Sequence, residues 1–325
     1  MDNRIVKSIL DAKSITDNIL LHFDVADVHS VDLLHSSRDD TYLVVGAATW
    51  IARVHSSKKN KLEVESCSKA INAARQFTHR IPLQAQTKSG CYSAMLEMPE
   101  GPRLLTLGAF QKGEDVPLNT ENGRSLGRAL AELHKAFDSS GPHDCFGFFD
   151  EEFFEKWASA FCNKLKDRPL QDVVRNFGYY FGARLQAHAK TSPGYGLIHG
   201  DFFHNISHSA RGFAFYDFEH ISWAPRIFEI AQFHWGISVR NPSSRIVIEG
   251  EPGAVWNAFL DGYRELIGLD GIEEVPAYSI ARVFVDIYTA HEQSVYFGSS
   301  GLQSAFYQER AELIKSLAEY YRLKL

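Results

Sequence analysis

The order of the secondary-structure patterns along the chain restricts its fold more than any other feature. Residues 31–55 contain three short runs rich in β-branched, leucine and aromatic residues, "VDLLHSS", "TYLVVG" and "TWIARVH", with polar turns between them. From about residue 120 onward, apolar residues recur every three or four positions, as in amphipathic helices. A β-rich first third followed by a helical remainder predicts an α+β fold with segregated lobes. The alternating βα order of a doubly wound sheet is missing.

Further elements are predicted within the β-rich third. Apolar residues at near-helical spacing in residues 3–23 predict one or two amphipathic helices at the start of the chain. Residues 61–79 predict a helix, and residues 81–87, 91–98 and 102–110 restore strand-like runs separated by Gly, Pro and Ser. A small sheet with an inserted helix is therefore expected.

The helical remainder begins with a helix that Thr120 or Asn122 can cap. The other predicted helices share the same apolar spacing and cover residues 151–165, 170–190, 225–239, 253–266, 277–296 and 303–323. The boundary between the lobes is expected near residues 107–113. This gives an N-terminal lobe of residues 1–107 and a C-terminal lobe of residues 108–325.

Size and charge exclude some classes of function. The 325 residues are 45% hydrophobic, which is enough to bury a large core. The formal net charge of −6 provides no broad positive field for a polyanionic backbone, so nucleic acid is not expected as a partner. The short basic cluster of Lys58, Lys59 and Lys61 is interpreted as a solvated loop.

The sequence predicts neither export nor a membrane span. Residues 1–23 carry charges throughout and lack the apolar stretch of a signal peptide. The longest apolar run, "YLVVGAATWIA", has 11 residues, against the roughly 18 of a membrane-spanning helix. The four cysteines form no C-x-x-C pair, as expected of thiols in a reducing compartment. A cytoplasmic protein without a membrane partner is therefore expected, and the sequence leaves the oligomeric state open.

Polar side chains cluster within residues 197–220, "LIHGDFFHNISHSARGFAFYDFEH", among apolar neighbours. The turn "SHSARG" separates two apolar runs, and the second run ends at Asp217. A strand that stops at an acidic residue presents the carboxylate at the edge of the core, beside the loop before the hairpin. Asp201, Asn205 and Asp217 can therefore converge as oxygen ligands for Mg²⁺, or Asp201 can instead accept a proton from an attacking hydroxyl.

Three interpretations of this segment compete. It can be a structural polar loop that binds nothing. It can be a zinc or iron site built from His199, Asp201, His204 and His208, although His199 and His204 are five residues apart in a loop rather than four apart on a helix. It can be a phosphoryl-transfer centre, which would also explain an acidic residue at the end of a strand after a hairpin. The third interpretation is favoured.

At these residues the chain resembles the aminoglycoside phosphotransferase and choline kinase group of protein-kinase-like small-molecule kinases. The resemblance is carried by "HGDFFHN", "YDFEH" and "WAPRIFEIAQFHWG", and it extends more loosely over residues 33–296. It implies a two-lobed fold with a β-rich N-terminal lobe that binds nucleotide and a larger helical lobe that holds the catalytic loop and the acceptor pocket. It also implies that Asp201 is the catalytic base, that Asn205 and Asp217 bind magnesium, and that His199 braces the catalytic loop.

The resemblance assigns nucleotide-binding roles in the N-terminal lobe. Arg53 stands where the family has a strand lysine or arginine that faces the nucleotide phosphates, and a guanidinium can bind two phosphate oxygens. The alternative is a surface arginine on an edge strand. Glu65, or less favourably Glu63, would pair with Arg53 from the following helix, unless both glutamates lie on a solvated face. The linker that would meet adenine through main-chain groups and apolar walls consists of Leu107, Gly108, Ala109 and Phe110.

Two departures from the family pattern bear on activity, namely the spacing in the catalytic loop and the residue at position 229. Only three residues separate Asp201 from Asn205, where the family has four, and this turns the asparagine relative to the base. A misplacement of ~1 Å can cost on the order of a hundredfold in rate. Residues 36–41, "SSRDDT", lie where a phosphate-covering loop is expected and, as is common in this group, contain no glycine, so backbone binding of phosphate is poorly supported. Glu229 stands where aspartate is usual.

The resemblance therefore implies a kinase that uses ATP or GTP with Mg²⁺ to phosphorylate a hydroxyl of a small molecule such as an aminoglycoside or an amino alcohol. Asp286 and Glu292 can attract a cationic acceptor, and a surface position explains them equally well. Two alternatives remain. The short spacing from Asp201 to Asn205 favours a nucleotide-binding pseudokinase, and a bacterial Ser/Thr protein kinase of the stress-response type resembles the same group.

Overall fold

The structure, a computed structural model, describes residues 5, 7–115, 117–144, 149–238, 247–296 and 304–325. Its N-terminal part is an antiparallel sheet in the order β1-β2-β3-β5-β4. The strands are Ser30–Ser36 (β1), Asp40–Val45 (β2), Thr49–Val54 (β3), Ser93–Leu96 (β4) and Arg103–Ala109 (β5). Helix α1 (Ala12–His22) precedes the sheet, and helix α2 (Lys61–Arg75) lies between β3 and β4 in the chain. The expected small sheet with an inserted helix is confirmed.

The alternation of side chains along β3 directs one arginine away from the N-terminal core. Ala52 and Val54 are buried in that core, whereas Ile51 and Arg53 face the other side of the sheet and line a cavity. Strand β3 has β2 on one side and β5 on the other. Arg53 is therefore on a central strand, and the alternative of a surface arginine on an edge strand is wrong.

Residues 81–87 do not form the strand that their composition predicts. They make single bridges instead, one of them between Gln84 and Gly108. Pro82 has no N–H group to donate in a ladder of strand hydrogen bonds. A segment that contains it therefore pairs irregularly. The segment therefore touches β5 at isolated points rather than extending the sheet.

The rest of the described chain is mainly helical, which confirms the predicted α+β class. Its helices are α3 (Thr120–Ser139), α4 (Glu151–Cys162), α5 (Arg168–Ala187), α6 (Arg226–Ser238), α7 (Pro252–Arg264), α8 (Val275–Tyr296) and α9 (Ser304–Tyr320). The residue that caps α3 differs from the prediction. Asn119 is the cap in place of Thr120 or Asn122, and its side-chain oxygen accepts from the main-chain N–H of Asn122 at 2.9 Å.

Two glycines allow α3 and α7 to pack in direct backbone contact. A Cβ atom on Gly127 would lie 1.9 Å from the carbonyl oxygen of Phe259, and one on Gly262 would lie 1.9 Å from that of Arg124. A side chain at either position would force the two helices apart. The helical core continues into a cluster of aromatic rings from Phe154, Phe177, Phe181, Phe228 and Phe284.

Two short antiparallel pairs lie between α5 and α6 in the chain and position the polar segment. Their strands are Tyr195–Ile198 (β6), Ile206–Ser209 (β7), Gly212–Phe215 (β8) and Ser222–Pro225 (β9). Strand β6 pairs with β9, and β7 pairs with β8 in the hairpin that the sequence predicts. His199 follows β6 directly, and Asp217 lies two residues after β8. The ends of these strands therefore fix where the polar side chains lie.

Helices in the described part of the chain are all too short or too polar to cross a lipid bilayer. Cys67, Cys91 and Cys162 are thiols rather than disulfides, and Cys145 lies outside the described residues.

Candidate active site

A cavity of about 1210 Å³ is lined both by the N-terminal sheet and by the helical part. Most of the site residues predicted from the sequence line it, namely Arg53, Gly108, Ala109, Phe110, Asp201, Asn205 and Asp217. His199, Glu65 and Leu107 do not belong to the lining. Residues 199–205, for which the resemblance implies the role of a catalytic loop and which are called the catalytic loop below, lie on the helical side of this cavity.

The β7–β8 hairpin brings Asn205 and Asp217 to the same cavity. Asn205 lies immediately before β7, and its carbonyl oxygen accepts from the N–H of Tyr216 at 3.0 Å. Asp217 is the next residue and has a φ of 61°, a left-handed conformation that few residues other than glycine adopt. Such strained positions cluster at functional sites.

Arg53 and Asp217 form an ion pair, with 2.6 Å between Nη1 and Oδ1. Burial by itself raises the pKa of the Asp217 carboxyl, but the adjacent guanidinium outweighs burial and holds that pKa below its usual value. The Arg53 side chain is only 17% exposed. Asp217 is therefore an ionised carboxylate with a fixed cation beside it.

Glu219, two residues after Asp217, joins the site without having been predicted from the sequence. Its carboxylate lies 3.4 Å from Arg38, 3.4 Å from Arg53 and 3.8 Å from Lys59. The interpretation of Lys59 as part of a solvated loop is wrong, because its side chain is 20% exposed and lines the cavity. Three cations gathered at one place are suited to a polyanion such as a triphosphate.

Glu65 does not pair with Arg53, so the ion pair that the resemblance implies is wrong. Its carboxylate accepts the main-chain N–H groups of Tyr92 and Ser93, both at 2.9 Å, and the hydroxyl of Ser93 at 2.6 Å. Donors at the start of β4 therefore satisfy this carboxylate and tie α2 to the sheet. Glu63 lines the cavity and forms its ion pair with a lysine four residues before it.

The linker residues divide into two groups. Gly108, Ala109 and Phe110 line the cavity, whereas Leu107 is fully buried in the N-terminal core. The N–H groups of Ala109 and Phe110 already donate to carbonyl oxygens of the same lobe, at 2.8 and 3.0 Å. These two donors are therefore not open to a nucleobase, and any main-chain contact to adenine falls to the other groups of the linker.

His199 connects the catalytic loop to the end of the hairpin. Its ring is fully buried, and Nε2 lies 2.8 Å from the carbonyl oxygen of Tyr216. Its Nδ1 accepts from the main-chain N–H of Asp201 at 3.3 Å. With Nε2 as the donor and Nδ1 as the acceptor, the ring ties Asp201 to the residue that precedes Asp217.

Glu229 of α6 holds the backbone of the same loop. Its carboxylate accepts the N–H groups of His199 at 3.0 Å and of Gly200 at 2.8 Å, and Nε2 of His134 lies 2.8 Å from it. Burial lowers the pKa of His134 well below its usual value, so the neutral ring donates from Nε2 to the carboxylate. The glutamate that replaces the usual aspartate therefore still presents a carboxylate to the catalytic loop.

We expect Glu229→Gln to destabilise the folded protein. Three donors point at this side chain. The glutamine amide has only one acceptor oxygen, and its NH₂ group would face at least one of the three donors. A buried donor left without an acceptor costs ~1–3 kcal/mol. Urea unfolding should show a lower free energy of unfolding with an unchanged dependence on urea concentration.

Glu265→Gln is the matched control for this substitution. Glu265 forms ion pairs with Arg124 and Arg128 at the protein surface, where water can replace a lost partner. The control should leave the unfolding midpoint close to that of the wild type. A Glu229→Gln protein as stable as the control would contradict the bracing role.

Asn205 folds back onto Asp201 despite the short spacing between them. Nδ2 of Asn205 donates to the carbonyl oxygen of Asp201 at 2.7 Å and lies 3.4 Å from Asp201 Oδ2. Because Nδ2 is the donor in these contacts, Oδ1 is the atom of Asn205 that can bind a cation. Asp201 Oδ1 is held at 2.6 Å by Arg282, a partner 81 residues away that no local motif indicates.

The zinc or iron interpretation is not supported. Among the described residues, no three His, Cys, Asp or Glu side chains are placed to hold one ion. Both ring nitrogens of His199 are used in contacts to the main chain. A hard cation together with phosphate oxygens fits the amide and carboxylate oxygens of Asn205 and Asp217 better.

The part of the cavity that α6, α8 and α9 line carries both signs of charge. Its lining there includes Trp235, Arg282, Asp286, Phe306 and Arg310. Burial raises the pKa of Asp286, and its carboxylate lies 3.3 Å from Nε of Arg282. Asp286 therefore already has a cationic partner, and the side chain of Glu292 lies outside the described residues.

Solved structures share the fold of this chain. An amicoumacin kinase in complex with AMP-PNP and Ca²⁺ has a TM-score of 0.75 at 15% identity, covering 94% of this chain and 94% of that chain. A spectinomycin phosphotransferase in complex with ADP and spectinomycin has a TM-score of 0.62 at 13% identity, covering 97% and 99%. A microcompartment-associated aminopropanol kinase has a TM-score of 0.60 at 20% identity, covering 95% of each chain. At these identities the comparison establishes the two-lobed protein-kinase-like fold.

Sequence comparison identifies the family. No curated relative matches the chain. The model of the phosphotransferase enzyme family matches residues 32–266, well over half of the 325 residues. The match includes strands β2 to β5 and most of β1, the catalytic loop and the hairpin that ends before Asp217. The resemblance first seen in the catalytic-loop motif is confirmed, and the chain belongs to the phosphotransferase enzyme family.

Proposed function

We propose that this protein is a small-molecule kinase that transfers the γ-phosphoryl group of ATP to a hydroxyl group, with magnesium as cofactor. The observation that carries the proposal is that Asp201, Asn205, Asp217 and Arg53 line one cavity. Together they supply a base, two oxygen ligands for a cation and a phosphate-binding guanidinium. The family and the small-molecule kinases of the same fold support phosphoryl transfer to a small acceptor.

Residues 1–107 form the proposed nucleotide-binding lobe. Residues 108–325 form the proposed second lobe, with the catalytic loop and the acceptor pocket. Strand β5 crosses this boundary and ends at Ala109. The cationic cluster of Arg38, Arg53 and Lys59 around Glu219 supports this division. Phosphate oxygens would compete with Glu219 for these cations. Charged side chains would thereby bind the phosphates in place of main-chain N–H groups, which a loop without glycine does not present.

Magnesium would be held by the carboxylate of Asp217 and by Oδ1 of Asn205. Both are hard oxygen ligands, and Mg²⁺ in such sites is usually bound by one or two protein groups plus phosphate oxygens. The Asp217 carboxyl is ionised beside Arg53, and Asn205 keeps its oxygen available because Nδ2 turns to Asp201. The bound ion supplies charge neutralisation on the phosphate oxygens.

Asp201 would orient the acceptor hydroxyl and take its proton. The oxygen of that hydroxyl forms a bond to the γ-phosphorus while the bond from the γ-phosphorus to the β–γ bridging oxygen breaks, and ADP leaves. Because the transition state of such a transfer is loose, positioning and charge neutralisation contribute more than the strength of the base.

The acceptor is proposed to be a small polar alcohol, such as an amino alcohol or an aminoglycoside. The part of the cavity that α6, α8 and α9 line offers aromatic side chains from Trp235 and Phe306 and a carboxylate from Asp286. Since Asp286 is already paired with Arg282, the local charge is balanced rather than strongly negative. This favours an acceptor with few positive charges over a polycation.

We expect ATP to raise the melting temperature of the protein, and to raise it further when Mg²⁺ is present. A ligand at a concentration of 100 Kd stabilises the folded state by about 2.7 kcal/mol. Thermal unfolding with ATP, GTP or AMP, each with and without Mg²⁺, measures this. AMP is the control, because it lacks the phosphates that the cationic cluster would bind and should give a smaller, magnesium-independent shift.

The same samples decide among the functions when ADP release is measured with amino alcohols, aminoglycosides, amino acids and sugars. Magnesium-dependent ADP release that requires one of these acceptors supports the kinase. Stabilisation by ATP without ADP release across the panel would assign a nucleotide-binding pseudokinase instead. Transfer of labelled phosphate to protein and to none of the small molecules would assign a protein kinase.

A further inference from the structure

The guanidinium of Arg282, on α8, is fixed by three acceptors at the edge of the catalytic loop. Nη2 lies 2.6 Å from Asp201 Oδ1, Nη1 donates to the carbonyl oxygen of Gly200 at 3.0 Å, and Nε lies 3.3 Å from Asp286 Oδ1. The Arg282 side chain is 13% exposed. A planar fork that meets three separate acceptors has little freedom to rotate, so its contact to Asp201 has a defined direction.

Asp286 anchors this arginine from within the same helix. It lies four residues after Arg282, the spacing at which helical side chains meet. Arg282 is therefore held to α8 on one side and to the catalytic loop on the other. The helix begins 70 residues after the end of the loop and packs against α6 and α4.

The backbone of the loop does not depend on Arg282 alone. Glu229 accepts the N–H of Gly200 at 2.8 Å, and Nε2 of Gln232 donates to the carbonyl oxygen of Gly200 at 2.6 Å. Gly200 has a φ of +83°, and a Cβ atom there would lie 2.3 Å from the carbonyl oxygen of His220, so the turn is already closely specified. Holding this backbone is a task that other groups share.

The carboxylate of Asp201 has a different set of partners. Its Oδ1 is held by Arg282 at 2.6 Å, and its Oδ2 has a contact to Nδ2 of Asn205 only at 3.4 Å. Among the described residues, the short contact that sets the direction of this side chain is therefore the one from Arg282. Oδ2 is left as the oxygen that can accept a proton.

We propose that Arg282 is a positioning residue that holds the Asp201 carboxylate toward the acceptor hydroxyl. The proposal rests on the function proposed above and assigns a role that lies outside the catalytic-loop motif. Only three residues separate Asp201 from Asn205. A support from outside the loop fixes the base in a segment that is one residue shorter than usual in the family.

The test compares Arg282→Gln and Arg282→Lys in the wild-type protein and in an Asp201→Asn background. In the wild-type background, Arg282→Gln is expected to lower kcat by about 10- to 100-fold, the cost of a misplaced catalytic group, with the KM for ATP nearly unchanged. Arg282→Lys keeps the charge without the fork and should recover part of kcat. In the Asp201→Asn background, Arg282→Gln should lower kcat by less than about threefold, because the group that it positions is already gone.

Arg175→Gln is the matched control, since Arg175 also forms an ion pair with an aspartate but on the exposed face of α5. It should leave kcat and both KM values unchanged. Circular dichroism and the melting temperature with ATP bound show that each variant is folded.

Each result has one meaning. Equal losses from Arg282→Gln in the two backgrounds, or no loss in the wild-type background, would overturn the positioning role while leaving the kinase assignment in place. A wild-type protein that releases no ADP with any acceptor would overturn the kinase assignment itself and this role with it. If Arg282→Gln does not fold, the comparison rests on Arg282→Lys, for which the same dependence on Asp201 is required.

Discussion

Asp217→Ala is expected to abolish phosphoryl transfer. The substitution removes the proposed magnesium ligand and leaves Arg53 without the carboxylate that lies 2.6 Å from it. Groups that neutralise charge during phosphoryl transfer contribute on the order of 10³- to 10⁵-fold in rate. Initial rates of ADP release at saturating ATP, acceptor and Mg²⁺ should fall by that amount. Raising the magnesium concentration should not restore them, because the ligand itself is missing.

The left-handed backbone at Asp217 would strain the alanine variant, so a second substitution is needed to isolate the effect of charge. Asp217 has a φ of 61°, where alanine costs roughly 1–2 kcal/mol and asparagine much less. Asp217→Asn keeps the shape and the tolerance for this conformation but removes the charge. A folded Asp217→Asn protein with the same loss of turnover assigns the effect to charge.

Asp172→Asn serves as the comparison for the Asp217 variants. Asp172 also pairs with an arginine, Arg175, but at the surface of α5, and the substitution should not change turnover. The Asp217→Asn protein should also lose the part of the ATP-induced thermal shift that depends on Mg²⁺. Near wild-type turnover in either Asp217 variant would remove this residue from the mechanism.

The fold was largely predictable because its signals are local. Helices α4 to α9 and strands β1 to β3 follow from apolar spacing within short windows, and the residue order alone shows that the β-rich part comes first. The exception is residues 81–87, whose composition is strand-like. Pro82 has no N–H group to donate, and β5 already pairs with β3 and β4, so only isolated bridges form. Strand composition does not report whether a neighbouring strand has open hydrogen-bonding groups.

The candidate site was predictable only where its residues are close in sequence. Asn205 and Asp217 are joined by one hairpin, so their approach follows from the turn between them. The resemblance implies a pair between Arg53 and Glu65 of the next helix, whereas Arg53 pairs with Asp217 and Glu219. Several carboxylates were within the reach of a long side chain, and sequence spacing does not decide among them.

Arg282 shows more clearly which contacts sequence spacing cannot predict. It lies in "ARVFVDIYTAHE", on a helix whose apolar spacing predicts only core packing, and its contact to Asp201 spans 81 residues. The sequence pattern does not distinguish an arginine that contacts the catalytic loop from any other arginine on that helix face. The packing of α8 beside the catalytic loop is a property of the assembled helical lobe, and it becomes visible only in three dimensions.

We expect Asp201→Asn to lower kcat by about 10² to 10⁴-fold, the usual contribution of a general base. The amide has nearly the same size as the carboxylate, and its oxygen can still accept from Arg282, so the loop should keep its conformation. The amide cannot take a proton from the acceptor hydroxyl. The loss should therefore appear in kcat, with the KM for ATP close to that of the wild type.

The two aspartates are expected to differ in how they affect nucleotide binding. In the proposed mechanism Asp201 acts on the acceptor, so Asp201→Asn should keep the full thermal shift with ATP and Mg²⁺, whereas Asp217→Asn should lose its magnesium-dependent part. Measuring turnover and thermal shift on both variants separates a base from a metal ligand. If Asp201→Asn loses the magnesium-dependent shift, Asp201 binds the cation. If it keeps wild-type kcat, another group takes the proton, and the role assigned to Arg282 has no base on which to act.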